Sequence, residues 1–275
     1  MQNSAEEMKK EQFMQENLGR IKHKIVVLSG KGGVGKSTVA VNVAHELAAQ
    51  GYKVGILDVD IHGPSIAKML GIEGQTLTVA SQEDRPFPIK VHENLYALTI
   101  ATMMPDPDKP IVWRGPLKMG VIKQFLQDIQ WPYLDFLIVD NPPGTGDEPL
   151  SVVQLLGDVT GSLIVSTPQK VAFLDARKTI KFSQQMNVPI LGLIENMSGF
   201  VCPDCGSVHD IFKGDGTAQA AADFELDILG KLPIDPKIVL SGDNGKSFAA
   251  DYPGSIPATE FKQIVDKIIK KLAAK

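Results

Sequence analysis

The 275-residue sequence predicts an α/β fold with a doubly wound, mostly parallel sheet. Short runs rich in Val, Ile and Leu recur along the chain without polar alternation, the pattern of strands covered on both faces. Stretches of helical periodicity separate these runs, so strand and helix alternate. Hydrophobic residues make up 43% of the chain, enough for a large core, and no apolar run approaches the roughly 18 residues of a membrane span.

The N-terminal segment MQNSAEEMKKEQFMQENLGRIKHK is polar and of mixed charge, with no signal-peptide pattern. Residues 1–22 are expected to form a loose or helical arm without a catalytic role, ahead of a single domain over 23–275. KIVVLS (24–29) reads as the first buried strand, followed by a glycine-rich turn and a helix through Ala49. Gly51 ends that helix, because glycine tolerates the left-handed position after a helix. YKVGILDVD reads as a second strand and LYALTI (95–100) as a third. Pro116 to Ile129 is helical in pattern, and DFLIVD is a continuous apolar strand. GSLIVST and VPILGLI are two more, with a helical stretch near 171–186 between them. The Pro- and charge-rich stretches near 74–92 and 102–112 read as loops within the domain. In TEFKQIVDKIIKKLAAK, residues Phe261, Ile264, Val265, Ile268, Ile269 and Leu272 share one helical face. That face suits docking on the sheet and also suits a membrane surface; docking is the expectation adopted.

The net charge of −4 argues against a general nucleic-acid binder. Two cysteines exclude a disulfide framework and favour a reducing, cytoplasmic setting.

The first turn reads GKGGVGKST. Gly30, Gly32 and Gly35 satisfy a dinucleotide fingerprint, while Gly30, Gly35, Lys36 and Ser37 satisfy a P-loop. The Lys-Ser pair decides for the P-loop. Backbone N–H groups over Gly30, Lys31, Gly32, Gly33, Val34, Gly35 and Thr38 cradle phosphate, Lys36 reaches the β- and γ-phosphates, and the Ser37 hydroxyl serves Mg²⁺. A nucleoside triphosphate and Mg²⁺ are therefore expected; the family resemblance described below implies that the nucleotide is ATP. Asp58 and Asp60 in LDVDIHGPS and Asp140 in FLIVDNPPG stand at strand ends, where open α/β sheets bind ligands. A strand-end Asp is often only a turn residue; three beside a P-loop point to metal and water handling.

Lys31, early in the loop, has no part in an ordinary P-loop. KGGVGK[ST] resembles the deviant Walker A of the MinD/ParA-like ATPases. That resemblance implies a homodimer in which Lys31 reaches the partner's phosphates, Asp60 orients or activates the attacking water, and Asp58 joins the Mg²⁺ network. It also places Asn196 in the adenine region and Pro233 and Asp235 in the other base-proximal loop, although all three also suit turn chemistry.

GFVCPDCGSVHD holds both cysteines, Cys202 and Cys205, at half-site spacing. A tetrahedral zinc or an iron–sulfur cluster wants four ligands, and the local pattern serves either; His209 is a further candidate ligand. VWRGPLKMGVIKQFLQDIQWPYLDFLIVDNPPGTGD (112–147), LDVDIHGPSI (57–66) and ENMSGFVCPDCG (195–206) resemble the Mrp/Nbp35/ApbC family of iron–sulfur cluster carrier ATPases over about 22–240. The resemblance implies a 4Fe–4S cluster bridging two protomers, each supplying Cys202 and Cys205, and apo iron–sulfur proteins as recipients. Trp113 and Arg114 match a family feature of possible interface character. Asn141 departs from the Thr or Leu of many relatives, and the N-terminal cysteine motif of the Nbp35 branch is absent. Two rival readings are a ParA/MinD-type positioning ATPase, which has no use for the thiols, and a zinc-stapled nucleotide-dependent scaffold.

Overall fold

The structure, a computed structural model, describes residues 2–60, 63–77, 79, 85–103 and 115–274. Trp113, Arg114 and most of the expected 102–112 loop lie outside the described residues. Helix α1 (Gln2–Leu18) leads into β1 (Ile21–Leu28), then α2 (Lys36–Ala49), β2 (Val54–Asp58) and the single turn α3 (Ile66–Met69). β3 (Ile89–His92) and β4 (Leu95–Thr99) precede a 3-10 turn (Ile100–Met103), α4 (Gly115–Asp128), β5 (Leu134–Asp140) and α5 (Asp147–Leu156). β6 (Gly161–Ser166), α6 (Lys170–Gln185), β7 (Ile190–Val201), β8 (Val208–His209) and α7 (Gly216–Asp223) follow. β9 (Ile228–Ile234), α8 (Pro236–Asp243), α9 (Phe248–Asp251) and α10 (Ile256–Ala273) complete the described chain.

The strand order is β3-β4-β2-β5-β1-β6-β7, with β8 and β9 both paired to β7. Pairings are parallel except β3 with β4 and β8 with β7. The doubly wound expectation is thus met. β1 lies between β5 and β6, and the chain leaves it in one direction towards β2 and β4, in the other towards β6 and β7. The P-loop therefore opens at the point where strand order reverses, the place such sheets bind ligands.

Helices cover both faces. One core gathers Ile25, Val27, Phe136 and Ile138 of the sheet with α2 and α10 residues such as Val43, Leu47, Phe261 and Ile264. The opposite core gathers Val26, Leu28, Leu137 and Val139 with Phe125 and Leu126 of α4 and Val152 and Val153 of α5. The alternation along β1 and β5 is the period-2 geometry of a strand. In α10, Phe261, Ile264, Val265 and Ile268 are buried against β9 and α2, so the face predicted from periodicity is a docking face.

Three segments differ from the sequence expectation. β3 lies inside a stretch read as loop, a four-residue edge strand too short to show periodicity. β9 (ILGKLPI) also runs through a stretch read as loop; its Pro233 is tolerated because β9 is shown pairing only with β7. Residues 2–18 are helical, one of the two forms expected, but differ from a free arm in carrying Met14 and Leu18 into the core against α4.

Candidate functional site

The P-loop follows β1 directly and α2 begins at Lys36. Its glycines have local reasons. A side chain at Gly30 would meet the Asp175 carbonyl oxygen of α6 at 2.5 Å, so the loop could not pack there. Gly35, immediately before α2, has φ +81°, and a Cβ there would lie 2.2 Å from Asn196 Nδ2. Asn196 Nδ2 donates to the Val34 carbonyl at 2.8 Å, so β7 clamps the loop from its far side.

Lys36, Ser37, Asp58, Asp60 and Asp140 converge. Lys36 Nζ is 2.6 Å from Asp140 Oδ1 and 3.7 Å from Asp60 Oδ2. Ser37 Oγ donates to Asp140 Oδ2 at 2.5 Å. Asp58 accepts from the Asp60 backbone N–H and from Thr99 Oγ1, each at 3.0 Å. Register explains the assembly: Asp140 is level with Asp58 on one side and with Val27, the last residue but one of β1, on the other. Burial pushes the Asp58 carboxyl up to about 8, and the neighbouring Asp140 charge acts the same way. Burial also raises Asp140, with Lys36 opposing it. Such clustered, perturbed carboxylates in a cleft mark functional sites. Ser37 and Asp140, already in contact, and Asp58 form an all-oxygen donor set that fits a hard divalent cation such as Mg²⁺.

A cavity of about 130 Å³ opens beside Thr38, lined by Val41, Asn42, Met69, Ile238, Val239 and others. Sequence reasoning singled out Thr38 but missed the other lining residues. Thr38, Val41 and Asn42 lie at one-turn spacing on α2, a detectable signal, but nothing local said that α8 would stand opposite. Asp235 caps α8, accepting from the Lys237 N–H at 2.9 Å, and Pro233 is buried within β9. Both expected base-proximal residues thus have a structural duty here.

The cysteines stand at a hairpin tip. β7 continues past its last pairing with β6 (Ser166 with Glu195) as far as Val201, then turns back as β8. The tip therefore projects from the same carboxyl end of the sheet as the P-loop. Cys202 N–H donates to Ser207 O and Gly206 N–H to Cys202 O, both at 2.9 Å. Cys202 is half-buried and Cys205 exposed. Cys205 Sγ lies 3.2 Å from Ser207 Oγ, and the Ser207 hydroxyl and backbone, then Cys202, hold its thiol below the ordinary value. Among the described residues no three His, Cys, Asp or Glu side chains gather as a metal site, so His209 does not join the two thiols.

The hairpin is connected to the P-loop through packed backbone. Gly216 N–H donates to Pro168 O at 3.0 Å and Thr217 Oγ1 to Thr167 O at 3.1 Å, tying the chain after the hairpin to the β6–α6 junction. α6 in turn touches Gly30.

A strand, a glycine-rich loop with Lys36 and Ser37, a helix, and Asp140 on the neighbouring strand together define a P-loop nucleoside-triphosphatase. The ParA family model described as NUBPL iron-transfer P-loop NTPase matches residues 20–269, and the chain belongs to that family. It is 47% identical over 263 residues to the iron-sulfur cluster carrier protein of Methanocaldococcus jannaschii, covering 95% of this chain and 89% of that one. The nucleotide-binding protein of Archaeoglobus fulgidus, solved in complex with ADP, is 34% identical with a TM-score of 0.77, over 91% of this chain and 96% of that one. The cell division ATPase MinD of Pyrococcus furiosus shares the fold, with a TM-score of 0.63 at 23% identity over 91% and 99% of the two chains.

Proposed function

We propose that this protein is an ATP-hydrolysing carrier that holds a 4Fe–4S cluster between two copies of itself and delivers it to apo-proteins. The observation that carries the reading is the hairpin tip: it presents two thiols, one with a lowered pKa, and among the described residues no third ligand gathers beside them. A four-thiolate cluster is completed by the same two residues of a second copy, since a two-fold interface repeats one patch. The name of the M. jannaschii relative supports the cargo.

ATP would sit with its phosphates in the P-loop and its nucleoside in the cavity beside Thr38. Lys36 turns from Asp140 to the β- and γ-phosphates. A magnesium ion held through Ser37, Asp140 and Asp58 would neutralise phosphate charge. Asp60 accepts the proton of the attacking water; the water oxygen bonds to the γ-phosphorus as the bond to the ADP oxygen breaks. Lys31 meets the phosphates of the partner subunit. The contacts from the P-loop through α6 to residues 216–217 give a continuous route by which nucleotide state can alter cluster exposure.

Anaerobic reconstitution with iron and sulfide tests this. The expected product holds about four irons and four sulfides per dimer, lost in Cys202→Ser and passed to an apo-protein. Tightly held zinc with no cluster would leave the zinc-stapled scaffold instead.

A further inference from the structure

Asn141 follows Asp140 and is fully buried, yet neither Oδ1 nor Nδ2 of its side chain has a hydrogen-bond partner. Alternation along β5 turns Asp140, level with Val27 and Asp58, to the Lys36 side and the next residue, Asn141, to the face of Val139, which is buried in an apolar core with Leu28 and Val59. A buried amide without partners is costly, and native structures rarely tolerate one without a reason.

The sequence explains why no local partner exists. An Asn at a turn ordinarily accepts from the N–H two residues on. Here residues 142 and 143 are both prolines and have no N–H to give. The first donor available is Gly144 N–H, and it is bonded to the Ser29 carbonyl at 2.8 Å. Ser29 Oγ in turn donates to the Lys31 carbonyl at 3.0 Å. The loop 141–146 is thus pinned to the base of the P-loop in a position that strands the Asn141 amide.

We propose that Asn141 is a positioning residue that sets the equilibrium of the 141–146 loop. In a second position, favoured by a bound nucleoside triphosphate, Gly144 N–H leaves Ser29 and the Asn141 amide gains partners. The strain in the pinned state lowers the energy gap to the second, so the triphosphate shifts the loop with less differential affinity than it would otherwise need. A diphosphate, lacking the γ-phosphate, does not draw on this gap. The inference rests on the nucleotide-site reading.

Asn141→Leu removes both polar atoms at similar size. Without nucleotide its Tm is expected to rise by about 5 °C, as an unpaired buried amide is removed. Its affinity for a non-hydrolysable ATP analogue is expected to fall roughly tenfold while ADP affinity holds. A Tm that stays or falls, or an unchanged ratio of ATP-analogue to ADP affinity, would overturn the inference. Should the leucine variant not fold, Asn141→Val, also without a polar side-chain atom, gives the same two readings. A wild-type protein that binds neither nucleotide sinks the underlying site reading instead, and shows it before any variant is made.

Discussion

Lys36 is the buried cation that Asp58, Asp60 and Asp140 share, and its shortest contact, 2.6 Å, is to Asp140. A bound triphosphate would add negative charge to a cleft already rich in it, which is the electrostatic argument for the divalent cation proposed above. These residues were legible in the sequence because each is demanded by its chemistry at a defined offset from a strand. Asn196 was legible only in location: its contact is with the Val34 carbonyl of the P-loop, a pairing 162 positions apart. A second residue-level consequence concerns His45, which no sequence argument singled out. Burial lowers its pKa to about 4, and His92, stacked at 5.6 Å, adds to the effect. Above the ordinary value of 6.5 the imidazole is neutral in both folded and unfolded chains, and its full contribution to stability is present. As pH falls from there towards 4 the unfolded chain takes up a proton that the folded one refuses. Stability should therefore drop by on the order of 3 kcal/mol across that window. His45→Gln should flatten the fall of Tm between pH 7 and pH 5; an unchanged slope would remove His45 as its cause.

α6 shows what an element adds. Its first turns press Asp175 on Gly30 and leave Val171 and Leu174 exposed at 67% and 61%, on the helix that also contacts α7 beyond the cysteine hairpin. Exposed apolar side chains on the first turns of α6, at the carboxyl end of the sheet from which the cysteine hairpin also projects, suit burial against a second copy. Val171→Asp with Leu174→Asp is expected to shift the protein to monomer by at least tenfold in dissociation constant and to lose the reconstituted cluster, with ADP binding retained. Sedimentation with and without nucleotide checks it, and a dimer of undiminished strength would place the interface elsewhere. The periodicity of α6 was readable, but not which positions would be left uncovered. β9 was illegible for the opposite reason: Gly230 and Pro233 are breakers by local rule, and only pairing with β7 makes the segment a strand.

Across the whole molecule, the N-terminal helix is joined to the far side of the sheet. Asn17 Nδ2 donates to the Ile129 carbonyl at 2.6 Å, and its Oδ1 accepts from the Trp131 N–H at 2.8 Å. Met14 and Leu18 bury themselves among Phe125, Leu126 and Trp131. Removing residues 1–18 would uncover that cluster and leave the Trp131 N–H without its acceptor. The expected fall in Tm is on the order of 10 °C. A truncated chain that melts with the full one would show the helix to be a dispensable arm.

By itself the sequence determined the doubly wound class, the P-loop with its carboxylates, the docking face of α10 and the paired thiols. Each of these follows from local chemistry or from a period that a short window contains. Only the tertiary structure decided that the thiols project from the same edge as the P-loop and that α8 stands across a cavity from Thr38. It also decided that the amide of Asn141 is left without a partner. Those facts depend on register and crossover between segments far apart in the chain, which no local pattern encodes.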